Sequence, residues 1–219
     1  MTGKRKRVLI SDFDGTISKK DFFWYAIEEL LKPEDITPWN DYLERKITHI
    51  EALSQIFSKI SLNEKQFNDF VLTLPIEECF VETAHYCREN NIGYYIISAG
   101  ADLYIKIILK HLKVDHLVTL ISNKSNYHAD DGLNITKPDI NNEFYSLNYG
   151  IDKKKAVETI IKKYDYSIFA GDGRPDFEAA KETDKIFARE TLLELCRNEQ
   201  IEATEFKSYC EILEYLKNE

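Results

Sequence analysis

The sequence predicts an α/β fold, a parallel sheet covered by helices on both faces, with an all-helical segment inserted after the first strand. Three observations lead there. Short apolar runs of strand length alternate with amphipathic stretches through the second part of the chain. The stretch before residue 75 shows helical spacing without a convincing strand. Several strand ends open into small and acidic residues that packing alone does not explain.

The elements follow in order. Val8-Leu9-Ile10-Ser11 is a short apolar run emptying into Asp12-Phe13-Asp14-Gly15-Thr16, the pattern of a buried strand ending in a polar turn. Phe23, Ala26, Ile27, Leu30 and Leu31 then recur at helical spacing. So do Leu43, Ile47, Ile50, Leu53, Phe57 and Ile60, followed by Phe67, Phe70, Val71 and Leu74. Pro33 and Pro38 punctuate this segment, and Ser61-Leu-Asn-Glu64 reads as a capping box. Beyond it, helices are expected over 75–90, 101–112, 157–164, 176–182, 192–197 and 208–217. Strands are expected over 94–97, 116–121, 167–170 and 185–188, which implies a parallel sheet. Residues 122–150 are polar, and Asp130-Asp-Gly132 marks a turn, so a β-hairpin is expected there.

At 219 residues the chain can bury one sizeable core plus a modest insertion without disulfides or a structural metal. Its formal net charge of −9 argues against binding a nucleic-acid backbone, which calls for a basic face. No apolar run reaches membrane-spanning length, so neither a nucleic acid nor a membrane is an expected partner. The basic run Lys4-Arg5-Lys6-Arg7 is followed by no signal-peptide apolar region and reads as a solvated flank, giving a cytoplasmic expectation. Cys79, Cys87, Cys196 and Cys210 show neither CxxC pairing nor zinc spacing, and reduced thiols are expected. His85, His111 and His116, among apolar neighbours, are expected to be partly buried.

Chemistry collects at three strand ends. Asp12 and Asp14, two residues apart on extended chain, point the same way, whereas Phe13 points to the other side. Two neighbouring acids repel unless a cation or a shared proton relieves them, an arrangement suited to a carboxylate nucleophile and a general acid. Ser98-Ala99-Gly100 supplies a hydroxyl and small residues whose N–H groups can approach an anion at a helix start. In Gly171-Asp172-Gly173-Arg174-Pro175-Asp176, glycines flank Asp172 and a second acid follows, a pattern favouring a hard metal such as Mg2+.

In this order the three ends resemble the signatures of the haloacid dehalogenase superfamily, specifically its phosphatases in the phosphoserine-phosphatase-like branch. Asp12 to Thr16 matches the first signature, Ile97-Ser98 the second and Gly171 to Asp176 the fourth. The third is a lysine near a helix start; among Lys153, Lys154 and Lys155, Lys153 best fits the family spacing and Lys154 is second. Within the branch, Asn134–Pro138, Gly150 and Ala188–Cys196 are similar to methionine-salvage enolase-phosphate phosphatases of the MtnX type.

The resemblance implies a Rossmann-like core from residues 1–16 and 75–219, with a helical C1 cap over 17–74. It implies a Mg2+-dependent phosphomonoester hydrolase acting on a small phosphorylated metabolite, among them a methionine-salvage enol phosphate. Asp12 would be the nucleophile and Asp14 the acid and base; Ser98, Ala99, Gly100 and Lys153 would bind phosphate. Mg2+ would be held by Asp12, the Asp14 backbone carbonyl and Asp172, with Asp176 positioning ligand waters. Asp21 would contact substrate or cap the following helix, and Phe22, Phe23 or Trp24 could line the pocket. Ser54 stands where phosphoserine phosphatases place a carboxylate-binding arginine, which counts against phosphoserine. Phosphoserine phosphatase-like or phosphomutase activity, and a non-catalytic phospho-aspartate switch, are the competing readings. Oligomeric state is not legible.

Overall fold

The computed structural model describes residues 5–219. Strand β1 (Arg7–Ser11) is followed by helices α1 (Phe22–Leu30), α2 (Thr37–Leu43), α3 (His49–Phe57) and α4 (Glu64–Val71). Next come α5 (Phe80–Glu89), β2 (Gly93–Ala101), α6 (Asp102–His111) and β3 (Thr119–Asn123). Two antiparallel pairs follow, β4 (Ser125–His128) with β5 (Gly132–Ile135) and β6 (Tyr145–Ser146) with β7 (Gly150–Ile151). The chain ends with α7 (Lys153–Ile161), β8 (Tyr166–Gly171), α8 (Phe177–Ala180), β9 (Lys185–Ala188), α9 (Glu190–Asn198), β10 (Thr204–Glu205) and α10 (Tyr209–Asn218).

Six strands form a parallel sheet in the order β10-β9-β8-β1-β2-β3. Lying between β8 and β2, β1 is buried along its whole length, which explains its unbroken apolar run. The two-residue period of the strands sorts side chains between two cores. Leu9, Ile96, Ile168 and Phe187 meet α5, α6 and α10, whereas Val8, Ile10, Ile97 and Phe169 meet α7, α8 and α9. The first core continues into the helical unit through Phe22, Phe57 and Phe67.

The β4–β5 hairpin supports that helical unit. Tyr127 stacks on Phe67 with centroids 3.9 Å apart, and its hydroxyl donates to the Leu62 carbonyl at 2.8 Å. Gly132, with φ +70°, makes the hairpin turn against the end of α3; a Cβ there would lie 2.6 Å from the Phe57 carbonyl oxygen. Two connecting segments join the helices to the sheet side by side, with Lys19 N donating to Pro75 O and Glu77 N to Ile17 O, both at 2.8 Å. Arg189 clamps them, pairing with Glu77 at 2.8 Å and donating to the carbonyls of Gly15 and Thr16.

Several expectations need correction. Residues 75–77 run along the outgoing segment, a turn follows at Glu78 and Cys79, and the helix expected from Pro75 begins only at Phe80. The capping box is Asn63 with Gln66, because Ser61 and Leu62 belong to the connection that Tyr127 holds. Strand β2 runs on through Ser98–Gly100, where Ser122 and Asn123 donate to the carbonyls of Gly100 and Ala99 and keep the chain extended. Cys79 and Cys210 form a disulfide, with Cα atoms 5.0 Å apart, while Cys87 and Cys196 are free and buried. A separation of 131 residues leaves no local signal for that bridge; the packing of α10 on α5 brings the two cysteines together. His85, His111 and His116 are exposed, on the outward faces of helices and a turn. Of the basic run, Lys4 lies outside the described residues, Arg5 and Lys6 are solvated, and Arg7 is buried, donating to Leu216 O at 3.1 Å. No helix among the described residues is long and apolar enough to cross a membrane.

Candidate active site

The carboxyl ends of β1, β2 and β8 lie side by side because those strands are neighbours in a parallel sheet, so their polar loops share one crevice. Asp12 follows β1, its N–H donating to Ala170 O at 2.9 Å, which fixes it against the end of β8. From the first turn of α7, Lys153 reaches its Nζ to within 2.7 Å of Asp12 and 2.6 Å of Asp176. Lys154 turns away to pair with Glu182 at 2.9 Å, and Lys155 pairs with Asp152 at 3.5 Å. Asp176 is fully buried and its other oxygen accepts from the N–H groups of Asp172 and Gly173 at 3.1 and 3.0 Å. Asp172 accepts from Thr16 Oγ1 at 2.7 Å. Gly15, with φ +74°, passes so close that a Cβ there would collide with the Asp172 carboxylate.

Asp12, Asp172 and Asp176 each offer an oxygen within 4.8 Å of the others. Burial, then Asp176, hold the Asp12 carboxyl well above the usual range, with Lys153 offsetting part of the effect. Asp172 is pushed to about 8, chiefly by burial and next by Asp176. Burial opposes the charge on Lys153, but Asp12 and Asp176 outweigh it and raise its pKa. Three carboxylates therefore face one ammonium. Such an all-oxygen, charge-deficient cluster fits a hard divalent cation.

The Asp14 side chain leaves this triad. One oxygen accepts from Phe22 N at 3.2 Å; the other accepts from Ser98 Oγ at 3.1 Å and Tyr104 OH at 2.5 Å. Burial raises its pKa, and those donors pull it back. Ser98 Oγ also accepts from Gly100 N at 2.9 Å, and Ala99 and Gly100 edge the same cavity.

That cavity, of about 110 Å³, lies between the acids and the helical unit. Asp21 caps α1 by accepting from Phe23 N at 2.7 Å and also lines the cavity; burial, then Asp14, push its pKa to about 7. Phe23 and Trp24 line it as well, whereas Phe22 is buried, stacked on Tyr104 with centroids 4.0 Å apart. Sequence reasoning missed Trp39, His49, Leu53 and Phe57, which complete the wall. Only the helical period of Leu53 and Phe57 hinted at an inward face. Lys19 and Lys20 are solvated and pair with Glu78 and Glu28 at 3.1 and 3.0 Å. Ser54 is absent from the cavity wall.

Residues 9–181 match the profile of haloacid dehalogenase-like hydrolases. The chain belongs to that family. Within it, 2-hydroxy-3-keto-5-methylthiopentenyl-1-phosphate phosphatase from Bacillus cereus is 27% identical over 208 residues, covering 94% of either chain. A substrate-bound phosphoserine phosphatase superposes with a TM-score of 0.69 at 18% identity, over 97% of this chain and 99% of that one. For a phosphoserine phosphatase from T. onnurineus the TM-score is 0.64 at 15% identity, covering 100% and 98%. These structural likenesses show the fold. Together, the family match and the phosphatases similar to it over nearly the full length make the chain a haloacid dehalogenase-type phosphatase.

Proposed function

We propose that the chain hydrolyses small phosphomonoesters in the presence of Mg2+ through an aspartyl-phosphate formed on Asp12. The observation that carries this reading is the Asp12 carboxylate against Lys153 Nζ at 2.7 Å, with Asp14 turned into the same cavity. An Asp12 oxygen attacks phosphorus and the P–O bond to the leaving group breaks. Asp14 gives its proton to the departing alkoxide. Asp14 then takes a proton from water as that water attacks the phosphorus, freeing Asp12 and phosphate. Ser98, Ala99 and Gly100 would bind phosphoryl oxygens, with Ser98 Oγ exchanging its Asp14 partner and Gly100 N its Ser98 partner for the ligand, and Lys153 would carry the compensating positive charge.

Asp12, Asp172 and the Asp14 carbonyl would hold Mg2+, with Asp176 acting through its hydrogen bonds to the Asp172 loop. When bound, the ion supplies charge neutralisation for the phosphoryl oxygens and the crowded carboxylates. Residues 17–74 serve as the cap and residues 1–16 and 75–219 as the catalytic core. The small cavity favours a metabolite over a macromolecular phosphoester. The methylthiopentenyl phosphate named for the Bacillus relative is the first metabolite to assay.

Release of phosphate from p-nitrophenyl phosphate, with and without Mg2+, tests the reading. Activity should require both Mg2+ and Asp12, and full activity in Asp12→Asn would overturn the nucleophile assignment. Transfer of the phosphoryl group to another position of the substrate, without free phosphate, would indicate a mutase. A long-lived aspartyl-phosphate without turnover would indicate a switch.

A further inference from the structure

The cavity is asymmetric in charge. Its core side carries Asp12, Asp14, Asp172 and Lys153, whereas its helical side is largely aromatic and apolar. Lys153 is the single cation among the described lining residues, and its Nζ is committed to Asp12 and Asp176 at 2.7 and 2.6 Å. The helical side adds a further acid, Asp21. A leaving group bearing its own carboxylate would therefore lose hydration while meeting acids and aromatic faces, an unfavourable exchange.

His49 is the polar exception in the aromatic wall. Its ring is wedged among Trp39, Tyr42 and Tyr149, with centroids 5.7, 5.3 and 5.1 Å away. His49 lines the cavity and its Nδ1 is buried without a hydrogen-bond partner, so the imidazole has a ring nitrogen left uncommitted for a ligand there. Burial, and next the Lys153 charge, lower its pKa to about 4, leaving a neutral ring at neutral pH. A neutral imidazole can hydrogen-bond to a hydroxyl or carbonyl but gives no ion pair to a carboxylate.

We propose that His49 is a specificity-determining residue that selects phosphomonoesters whose leaving group is uncharged and carries a hydroxyl or carbonyl, the rest lying against the aromatic wall. This inference rests on the phosphatase reading of the same site.

Three esters sharing a two-carbon skeleton test it: ethyl phosphate, 2-hydroxyethyl phosphate and phosphoglycolate. With wild-type protein and Mg2+, kcat/KM is expected to be highest for 2-hydroxyethyl phosphate and at least about tenfold lower for phosphoglycolate. His49→Phe should bring the ratio of 2-hydroxyethyl to ethyl phosphate close to one. His49→Arg, which introduces a fixed cation, should raise the ratio of phosphoglycolate to 2-hydroxyethyl phosphate by about tenfold. Thermal melts check that both variants fold, and the wild-type comparison stands without them. Equal or better turnover of phosphoglycolate by wild type overturns the inference and leaves the phosphatase reading intact. A folded His49→Phe with an unchanged hydroxyethyl-to-ethyl ratio does the same. Absence of Asp12-dependent phosphate release from every ester overturns the phosphatase reading and this inference with it.

Discussion

The two sides of the cavity are built on different principles. On the core side, every functional group is tied to another: Lys153 to two acids, Asp176 to two N–H groups, Asp172 to Thr16, and Asp14 to three donors. These groups sit on strand ends and helix starts of a close-packed sheet, so they are pre-positioned before a ligand arrives. On the helical side the groups are rings packed on rings, and His49 has no partner at Nδ1. On the proposed function the core side meets a constant phosphoryl group; the helical side meets the part of the substrate that varies, through rings of which Phe23 and Phe57 share the sheet's own core.

Breaking the core side should have the largest consequence. Asp12→Asn is expected to lower kcat on p-nitrophenyl phosphate by about 10⁴-fold or more, measured as phosphate release in Mg2+. Asp14→Asn should lower kcat by about 10²–10⁴-fold on ethyl phosphate. In kcat/KM, which reports leaving-group departure and not the later base step, its effect should be smaller on p-nitrophenyl phosphate, whose leaving group departs without a proton; equal kcat/KM losses on both esters would remove the general-acid role. Between the two sides lies the Arg189 clamp. Arg189→Met leaves the buried Glu77 unpaired and should destabilise the fold by about 3 kcal/mol in urea unfolding.

The crowded acids also set a pH dependence for the metal-free protein. Burial pushes Asp172 to about 8 and Asp21 to about 7 in the folded chain, against about 4 when unfolded. Between those limits the folded chain holds more protons, so its stability is greatest at the acidic end and falls as pH rises toward 8. Melting temperature without metal should decline over that range, and Mg2+ should flatten the decline; a rising curve would contradict the sign. The smallest effect is expected on the helical side. Trp24 is 45% exposed, and Trp24→Ala should cost about 1 kcal/mol or less while changing KM more than kcat.

The same division decides what could be read from the sequence. The core side was legible because its residues come in short contiguous groups at strand ends, where i and i+2 spacing and flanking glycines carry a direct physical meaning. The sheet was legible from apolar runs, although β2 outlasted its apolar portion because Ser122 and Asn123 hold Ser98–Gly100 extended. The wall was not legible. Trp39 and His49 sit on separate helices with no shared period, and only tertiary packing brings their rings within 5.7 Å. The expected burial of His85, His111 and His116 failed for a related reason: apolar neighbours in sequence can lie on the opposite face of the helix. His49, which was not singled out, is the histidine at the cavity.

The Cys79–Cys210 bridge has a topological consequence. It closes residues 79–210 into a covalent ring containing β2, β3, β8, β9 and β10, while β1 and α1–α4 remain outside. The strand leading to Asp12 is therefore a guest, threaded between two members of a closed loop to which it is joined only at residue 79. A single backbone cut in the exposed 136–143 stretch opens that ring yet releases no fragment until the bridge is reduced. Comparing such a nicked chain before and after reduction separates the sheet's own cohesion from that of the covalent loop.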